Sequence, residues 1–328
     1  MQVIEVIVPC FNEEYCISPF CNAINKVFIT DGILHNYGFQ ITFIDDGSTD
    51  QTLEEINRMM KNIEFGEKIR YLSFSRNFGK EAAIYAGMEH STGDFVVLMD
   101  ADLQHPPTLL PKMMQAIATE GYDCATARRV LRKNESVVRR KGSEYFYRIF
   151  RHITGLDLLP GSTDFRLMRR SVVDAILKLP ERERFTKGIY SWIGFKNKWI
   201  EYENVERQNG HTKWSTRGLI GYAYNGFVAF ATTPLRAVAY LGMLVVVAAI
   251  VSAIIVAIIT SSNGTNANGT TLIMIAMLLL NGMIITILGV IGEYLARIYM
   301  EVKGRPIYIV RDAKGSCSSV DAMDANDE

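Results

Sequence analysis

Val3-Ile4-Glu5-Val6-Ile7-Val8-Pro9-Cys10-Phe11-Asn12-Glu13-Glu14 passes from an apolar run into a proline, an amide and two acids. Residues 3–8 read as a buried strand, because β-branched side chains pack well on a pleated surface. The same change of character recurs along the chain. Residues 40–44 run into Asp45-Asp46-Gly47-Ser48-Thr49-Asp50, and residues 95–99 into Asp100-Ala101-Asp102-Leu103-Gln104-His105. Residues 70–74 and 123–127 make two further strands. Helical patterns fill the gaps at 16–28, 52–61, 80–90 and 107–119. Strand and helix in alternation give a parallel sheet with helices on both faces. Ligands of such sheets bind at the carboxyl ends of the strands, where these acids gather.

Like charges gathered at one edge repel unless something positive sits among them. A divalent cation is one such partner, since hard cations take oxygen ligands and keep substrate phosphates and water. Asp100-x-Asp102 suits a metal that bridges a diphosphate. Taken alone, Asp45-Asp46-Gly47-Ser48 is also a good turn with a helix cap behind it. Three such strand ends together favour chemistry. No GxGxxG and no GxxxxGK[ST] occurs, so neither a dinucleotide fingerprint nor a P-loop is signalled.

The 328 residues carry 35 Lys and Arg against 35 Asp and Glu, so the formal net charge is zero. That excludes a strongly basic nucleic-acid binder and a largely disordered acidic chain. Five cysteines, Cys10, Cys16, Cys21, Cys124 and Cys317, form no C-x-x-C pair and read as reduced thiols in the cytoplasm. Mean hydropathy close to zero averages a polar body with an apolar end. Residues 237–260 and 270–292 hold no charged side chain, and each is long enough to span a bilayer. A polar turn at 261–269 joins them, which predicts a transmembrane hairpin. Arg217 and Arg236 precede it, and Arg297, Lys303, Arg305 and Arg311 follow it. The positive-inside rule then places both termini in the cytoplasm. Aromatic residues Tyr222, Tyr224, Phe227 and Phe230 suggest an interfacial helix just before the first span.

The expected organisation is a cytoplasmic catalytic domain at 1–214 and an interfacial helix at 215–234. Two transmembrane helices follow within 235–297, then a cytoplasmic segment at 298–315 and a disordered acidic tail at 316–328.

VPCFNEE, IDDGSTD, SRNFGKEAAIYAGME and VLMDADLQHPP resemble the family 2 glycosyltransferases. DFRLM, RQNGHTKW, TTPLR and IGEYLARIYMEVKGRPIYIV further resemble its polyisoprenyl-phosphate branch, which includes bactoprenol glucosyltransferases and is related to dolichyl-phosphate mannose synthases. The resemblance implies the GT-A fold, an α/β mixed sheet with helices on both faces, followed by the membrane hairpin. It implies inverting transfer of a hexose to polyprenyl (undecaprenyl) phosphate at the inner membrane, with UDP-glucose the leading donor. UDP-galactose, UDP-N-acetylhexosamine, GDP-mannose and a UDP-modified arabinose stay open as donors. It further implies Mg²⁺ or Mn²⁺ as cofactor, contact with membrane lipid, and association of like chains.

By the same resemblance, Pro9, Phe11 and Glu13 hold the nucleoside, with Asp46 completing the pocket. Asp100, Asp102 and Gln104 take the metal. Arg128 starts a loop over the site and, with Arg207, Lys213 and one or more of Arg139, Arg140 and Ser143, meets the acceptor phosphate, the resemblance leaving open which of the two arginines makes the contact. Asp164 faces the reacting sugar. His105 and His211 are not at metal-ligand spacing and read as structural or peripheral. A processive polysaccharide synthase is disfavoured, because Gln208–Trp214 does not spell Q-x-x-R-W. A catalytically inactive nucleotide-sugar-binding scaffold is the alternative of a different class.

Overall fold

The computed structural model describes residues 1–130, 161–179, 181–182, 184–202 and 269–315, with scattered helical positions at 148–154 and 240–258. The chain divides into two units, one of residues 1–221 with 306–328 and one of residues 222–305.

Among the described residues, the first unit is built on one eight-stranded sheet. Its elements in chain order are β1 (Val3–Cys10), α1 (Ile17–Thr30), β2 (Gly38–Asp45), α2 (Thr52–Met60), β3 (Ile69–Phe74), α3 (Lys80–Glu89), β4 (Phe95–Leu98), α4 (Leu110–Ala118), β5 (Cys124–Arg129), β6 (Ser162–Arg169), α5 (Arg170–Leu177), α6 (Thr186–Trp192) and β7 (Asn197–Tyr202). Strand β8 (Val310–Lys314) follows the long helix α7 (Gly269–Val302) of the second unit. The spatial order is β7-β5-β6-β4-β1-β2-β3-β8. Strands β3, β2, β1 and β4 run parallel, whereas β6 and β8 are antiparallel to their neighbours. The sheet is therefore mixed, as the family resemblance implies.

Apolar runs explain why these segments are strands. Val6, Ile7 and Val8 of β1 and Ile41, Phe43 and Ile44 of β2 are fully buried, so both faces of the sheet are covered. Helix α1 contributes one stripe, Ile17, Phe20, Cys21, Ile24, Val27 and Phe28. Helix α3 is buried nearly all round, from Ala82 to Met88. It lies so close to β1 that a Cβ on Gly87 would stand 2.2 Å from Ile7 Cγ2.

A buried ion pair ties the starting ends of β1 and β3. Arg70, 1% exposed, pairs with Glu5, which is fully buried. Thr42 between them donates to Glu5 Oε1 at 2.7 Å and accepts from Arg70 Nε at 2.7 Å. Glu5 Oε2 also accepts the Thr92 and Gly93 amides at 2.8 and 3.0 Å. No polar atom of the Glu5 carboxylate is left without a donor, which is what a buried charge requires.

Strand β5 runs to Arg129, so Arg128 lies on the sheet rather than opening a loop. Residues 310–314, read from sequence as part of a separate segment after the membrane helices, instead supply an edge strand. In the second unit α7 covers the expected second span. Among the described residues, one helix stretch, Leu280–Val302, is long and apolar enough to cross a membrane, and none of it is buried in the protein. Ile284, Ile285, Leu288 and Leu295 are each more than half exposed along it. The described positions between 240 and 258 are helical, and a Cβ on Gly242 would lie 3.8 Å from Ile287 Cδ1 of α7.

Candidate active site

Register places the acids. Cys10 of β1 opposes Asp45 of β2, and Asp45 opposes Ser73 of β3, so these strands end level. On the other side Leu98 of β4 opposes Arg166 of antiparallel β6. Two residues further along each strand, in opposite chain directions, are Asp100 and Asp164. A loop end and a strand start from distant parts of the sequence therefore meet at one edge.

Lys80 joins them. Its ammonium lies 2.7 Å from Asp100 Oδ1 and 2.8 Å from Asp164 Oδ2. Lys187, in the first turn of α6, stands 3.9 Å from Asp164 Oδ1. Acid and base thus alternate from Asp100 through Lys80 and Asp164 to Lys187. Burial alone would lower the Lys80 ammonium, but Asp164 and Asp100 outweigh it and hold its pKa above the ordinary lysine value. Burial would likewise raise Asp164, yet Lys80 and Lys187 pull its carboxyl well below the usual range. Asp164 is accordingly ionised and a poor proton acceptor.

Asp102 Oδ1 accepts the Gln104 amide at 3.1 Å, closing a tight turn that turns the loop back on itself. Leu103 inside that turn has φ 54°, a left-handed conformation rare for a branched apolar side chain. Among the described residues the other non-glycine with positive φ is Asn12, at 55°, in the loop after β1. Strained backbone in both strand-end loops is the pattern found where ligands are held.

The sequence reads His105 as structural or peripheral; the structure sets it beside the acids. Its Nε2 is 3.9 Å from Asp100 Oδ2, and its Nδ1 is 2.5 Å from the Tyr202 hydroxyl. Burial lowers its pKa against the opposing pull of Asp100 and Asp102. Burial also pushes the Tyr202 phenol up to about 12, so it keeps its proton.

The first two strand-end loops interlock. The Asn12 amide donates to Ser48 Oγ at 3.0 Å, Asn12 Oδ1 accepts the Thr49 amide at 2.9 Å, and the Glu13 amide donates to Thr52 Oγ1 at 2.9 Å. Glu13 Oε2 accepts the Cys16 thiol at 3.1 Å. Phe11 and Pro9 are half-buried beside them. Asp46, only 4% exposed, accepts the Phe78 amide at 2.6 Å and the Gly79 amide at 2.9 Å. Burial raises its pKa, and those two amides oppose the rise. Gly47 has φ 69°, and a Cβ there would stand 2.5 Å from the Arg76 carbonyl carbon. Only glycine fits this crossing of the two loops.

Arg128 is held by Glu201 of β7 at 3.2 Å. Arg139, Arg140, Ser143, Arg207, Lys213 and His211 lie outside the described residues. Among the described residues no group of three or more His, Cys, Asp or Glu side chains converges as a metal cage. Sequence reasoning missed Lys80 and Lys187. Lys80 begins α3 directly after a strand-end loop, and that position was the available signal.

The model of glycosyl transferase family 2 matches residues 5–177, more than half of the chain. The chain belongs to that family. A Bacillus subtilis protein named as a glycosyltransferase, CsbB, is 42% identical over 95% of this chain and 92% of its own length. The prophage bactoprenol glucosyl transferase homologue of Escherichia coli K12 is 36% identical over 95% of this chain and 99% of its own. The bactoprenol glucosyl transferase of Shigella phage SfX matches to the same extent. Among solved structures, mannosyl-3-phosphoglycerate synthase from Rubrobacter xylanophilus aligns at TM-score 0.47 and 16% identity, over 72% of this chain and 74% of that one. The chain is a glycosyltransferase.

Proposed function

We propose that this glycosyltransferase moves a hexose from a nucleoside diphosphate to a polyprenyl phosphate at the cytoplasmic face of a membrane. UDP-glucose is the preferred donor, and the anomeric centre inverts. The observation that carries the reading is the Asp100–Lys80–Asp164 chain beside Asp102, at the carboxyl edge of the sheet. It offers carboxylates for a metal-bound diphosphate and, next to them, a fixed carboxylate and two ammonium groups for a sugar and an anion. The near full-length likeness to proteins named bactoprenol glucosyl transferase supports a polyprenyl acceptor. The apolar stretch Leu280–Val302 supports a membrane location.

Asp100, Asp102 and Gln104 form an all-oxygen donor set, which fits Mg²⁺ or Mn²⁺ with phosphate and water completing the shell. When bound, such an ion neutralises charge on the leaving diphosphate. Pro9, Phe11, Glu13 and the loop of Asp46 hold the nucleoside. Lys80 sits between Asp100 and Asp164, where it would add positive charge next to a leaving phosphate. Asp164, kept ionised by its two lysines, orients a sugar hydroxyl rather than taking a proton. No strong base is needed, because a phosphate monoester has its second pKa near 6 and is largely dianionic at neutral pH. Arg128, Lys187 and the basic residues Arg139, Arg140, Arg207 and Lys213, with Ser143, supply the acceptor side.

The test is transfer of radiolabelled sugar from a panel of UDP- and GDP-sugars to undecaprenyl phosphate. Membranes with wild type and Asp102→Ala are compared with and without EDTA. A lipid-extractable product from one donor, lost with EDTA and with the mutation, is the expected result. No product from any donor, with nucleotide binding intact, would overturn the acceptor and favour an inactive nucleotide-sugar-binding scaffold.

A further inference from the structure

Strand β8 lies outside residues 5–177 matched by the family model, yet it is wired into the candidate nucleoside pocket. It pairs antiparallel with β3, Ser73 opposing Asp312 and Phe74 opposing Val310. Arg311 between them has no opposite number, so it is the extra residue of a bulge. Bulges re-aim side chains and are common beside active sites. Here the guanidinium is turned onto β3, and Arg311 Nη2 donates to Ser73 Oγ at 3.1 Å.

Ser73 is fully buried and passes the contact on. Its hydroxyl donates to Asp45 Oδ2 at 2.7 Å. Asp45, also fully buried, uses Oδ1 to accept the Ser48 amide at 2.9 Å. Ser48 Oγ then accepts the Asn12 amide at 3.0 Å. Four hydrogen bonds therefore run from an edge strand to the left-handed Asn12 in the loop of Phe11 and Glu13. Asp45 stands next to Asp46, so two buried acids adjoin in sequence. The relay holds one of them with neutral donors and puts the cation at the relay's far end.

We propose that Arg311 is a positioning residue for the nucleoside diphosphate: through Ser73 and Asp45 it fixes the loop after β2 against the loop after β1. The inference rests on the nucleoside pocket given under Proposed function. Strand β8 has other anchors that do not touch this relay. Tyr71 donates to Asp312 Oδ2 at 2.7 Å, the Ser75 amide donates to Ile309 O at 3.0 Å, and the Tyr308 ring stacks on Phe74 at 5.0 Å. Loss of the relay can therefore be separated from loss of the strand.

The experiment measures UDP binding by calorimetry on the full-length protein in detergent with Mn²⁺, alongside thermal unfolding. Arg311→Met should weaken UDP about tenfold, the scale of one lost hydrogen bond to a charged group. Arg311→Lys, which keeps charge and a donor, should recover part of the loss. Ser73→Ala cuts the relay in its middle and should match Arg311→Met, which guards against a fold defect peculiar to one variant. Asp312→Asn weakens a strand anchor and should lower the unfolding midpoint while leaving UDP affinity within about twofold. Wild-type affinity in Arg311→Met, or equal weakening in Asp312→Asn, would overturn the proposal and leave β8 as support alone. If the wild type binds neither UDP nor GDP, the nucleoside pocket itself falls, and this inference with it.

Discussion

Lys80 is the residue on which the candidate site turns. It touches Asp100 and Asp164 at once, and no other described side chain bridges the two. Lys80→Met should reduce sugar transfer by about a hundredfold in kcat, the usual effect of removing one electrostatic stabiliser from a catalytic centre. Lys80→Arg should recover little, because a planar guanidinium cannot replace a point charge between two carboxylates. Steady-state kinetics on both variants, with circular dichroism to establish folding, checks this. His105 yields a prediction about pH. Burial holds its folded pKa below the ordinary value of 6.5, so the unfolded chain takes the proton first as pH falls. The stability it contributes is complete above about pH 6.5 and is lost below it. The unfolding midpoint of the wild type should accordingly fall more steeply between pH 7 and 5 than that of His105→Asn. Equal slopes would remove His105 from the acid response. The thiols supply a third test. Burial pushes Cys21 up to about 12 and Cys124 up to about 11, and Cys10 is raised by burial and by Asp45 beside it. Iodoacetamide at pH 7.5 should leave these three unmodified in the folded protein, as mass spectrometry of the peptides would show. At this scale the sequence exposes the acids but hides their partners. Asp100 and Asp102 announce themselves by spacing, whereas a lysine opening a helix reads as a solvated charge.

Elements are legible where a pattern is local. The four strands β1 to β4 and helices α1 to α4 follow from apolar runs and 3.6-residue periodicity, within a residue or two at most ends. Strands β6, β7 and β8 are not legible. STDFRLMR, NKWIEY and VRDAK are rich in charge, and their partners lie far away in sequence. What makes them strands is a free neighbour in the sheet, which no local window contains. The Glu5–Arg70 pair is another long-range fact, 65 residues apart. Arg70→Met leaves Glu5 buried without its cation and should cost about 3–5 kcal/mol, read from urea unfolding of the catalytic unit in the full chain. Gly87→Val drives a branched side chain into Ile7 and should cost about 1–3 kcal/mol by overpacking.

At the scale of the whole molecule the exposed apolar length of Leu280–Val302 predicts behaviour in cells. The chain should stay with the membrane pellet through a high-salt and carbonate wash and leave it only with detergent. Release by salt alone would refute a spanning helix. The order of the sheet has a further consequence in time. Tyr71 and its partner Asp312 are 241 residues apart, with the apolar helix between them. At about 5–20 residues per second a ribosome needs roughly 12–48 s to travel from one to the other. During synthesis the outer edge of β3 thus stands unpaired while the rest of its sheet is already available to fold, and an open edge is an invitation to aggregate. The edge of the nascent sheet is completed only by the strand made after the apolar helix, so the first unit cannot finish its sheet until that helix has been synthesised.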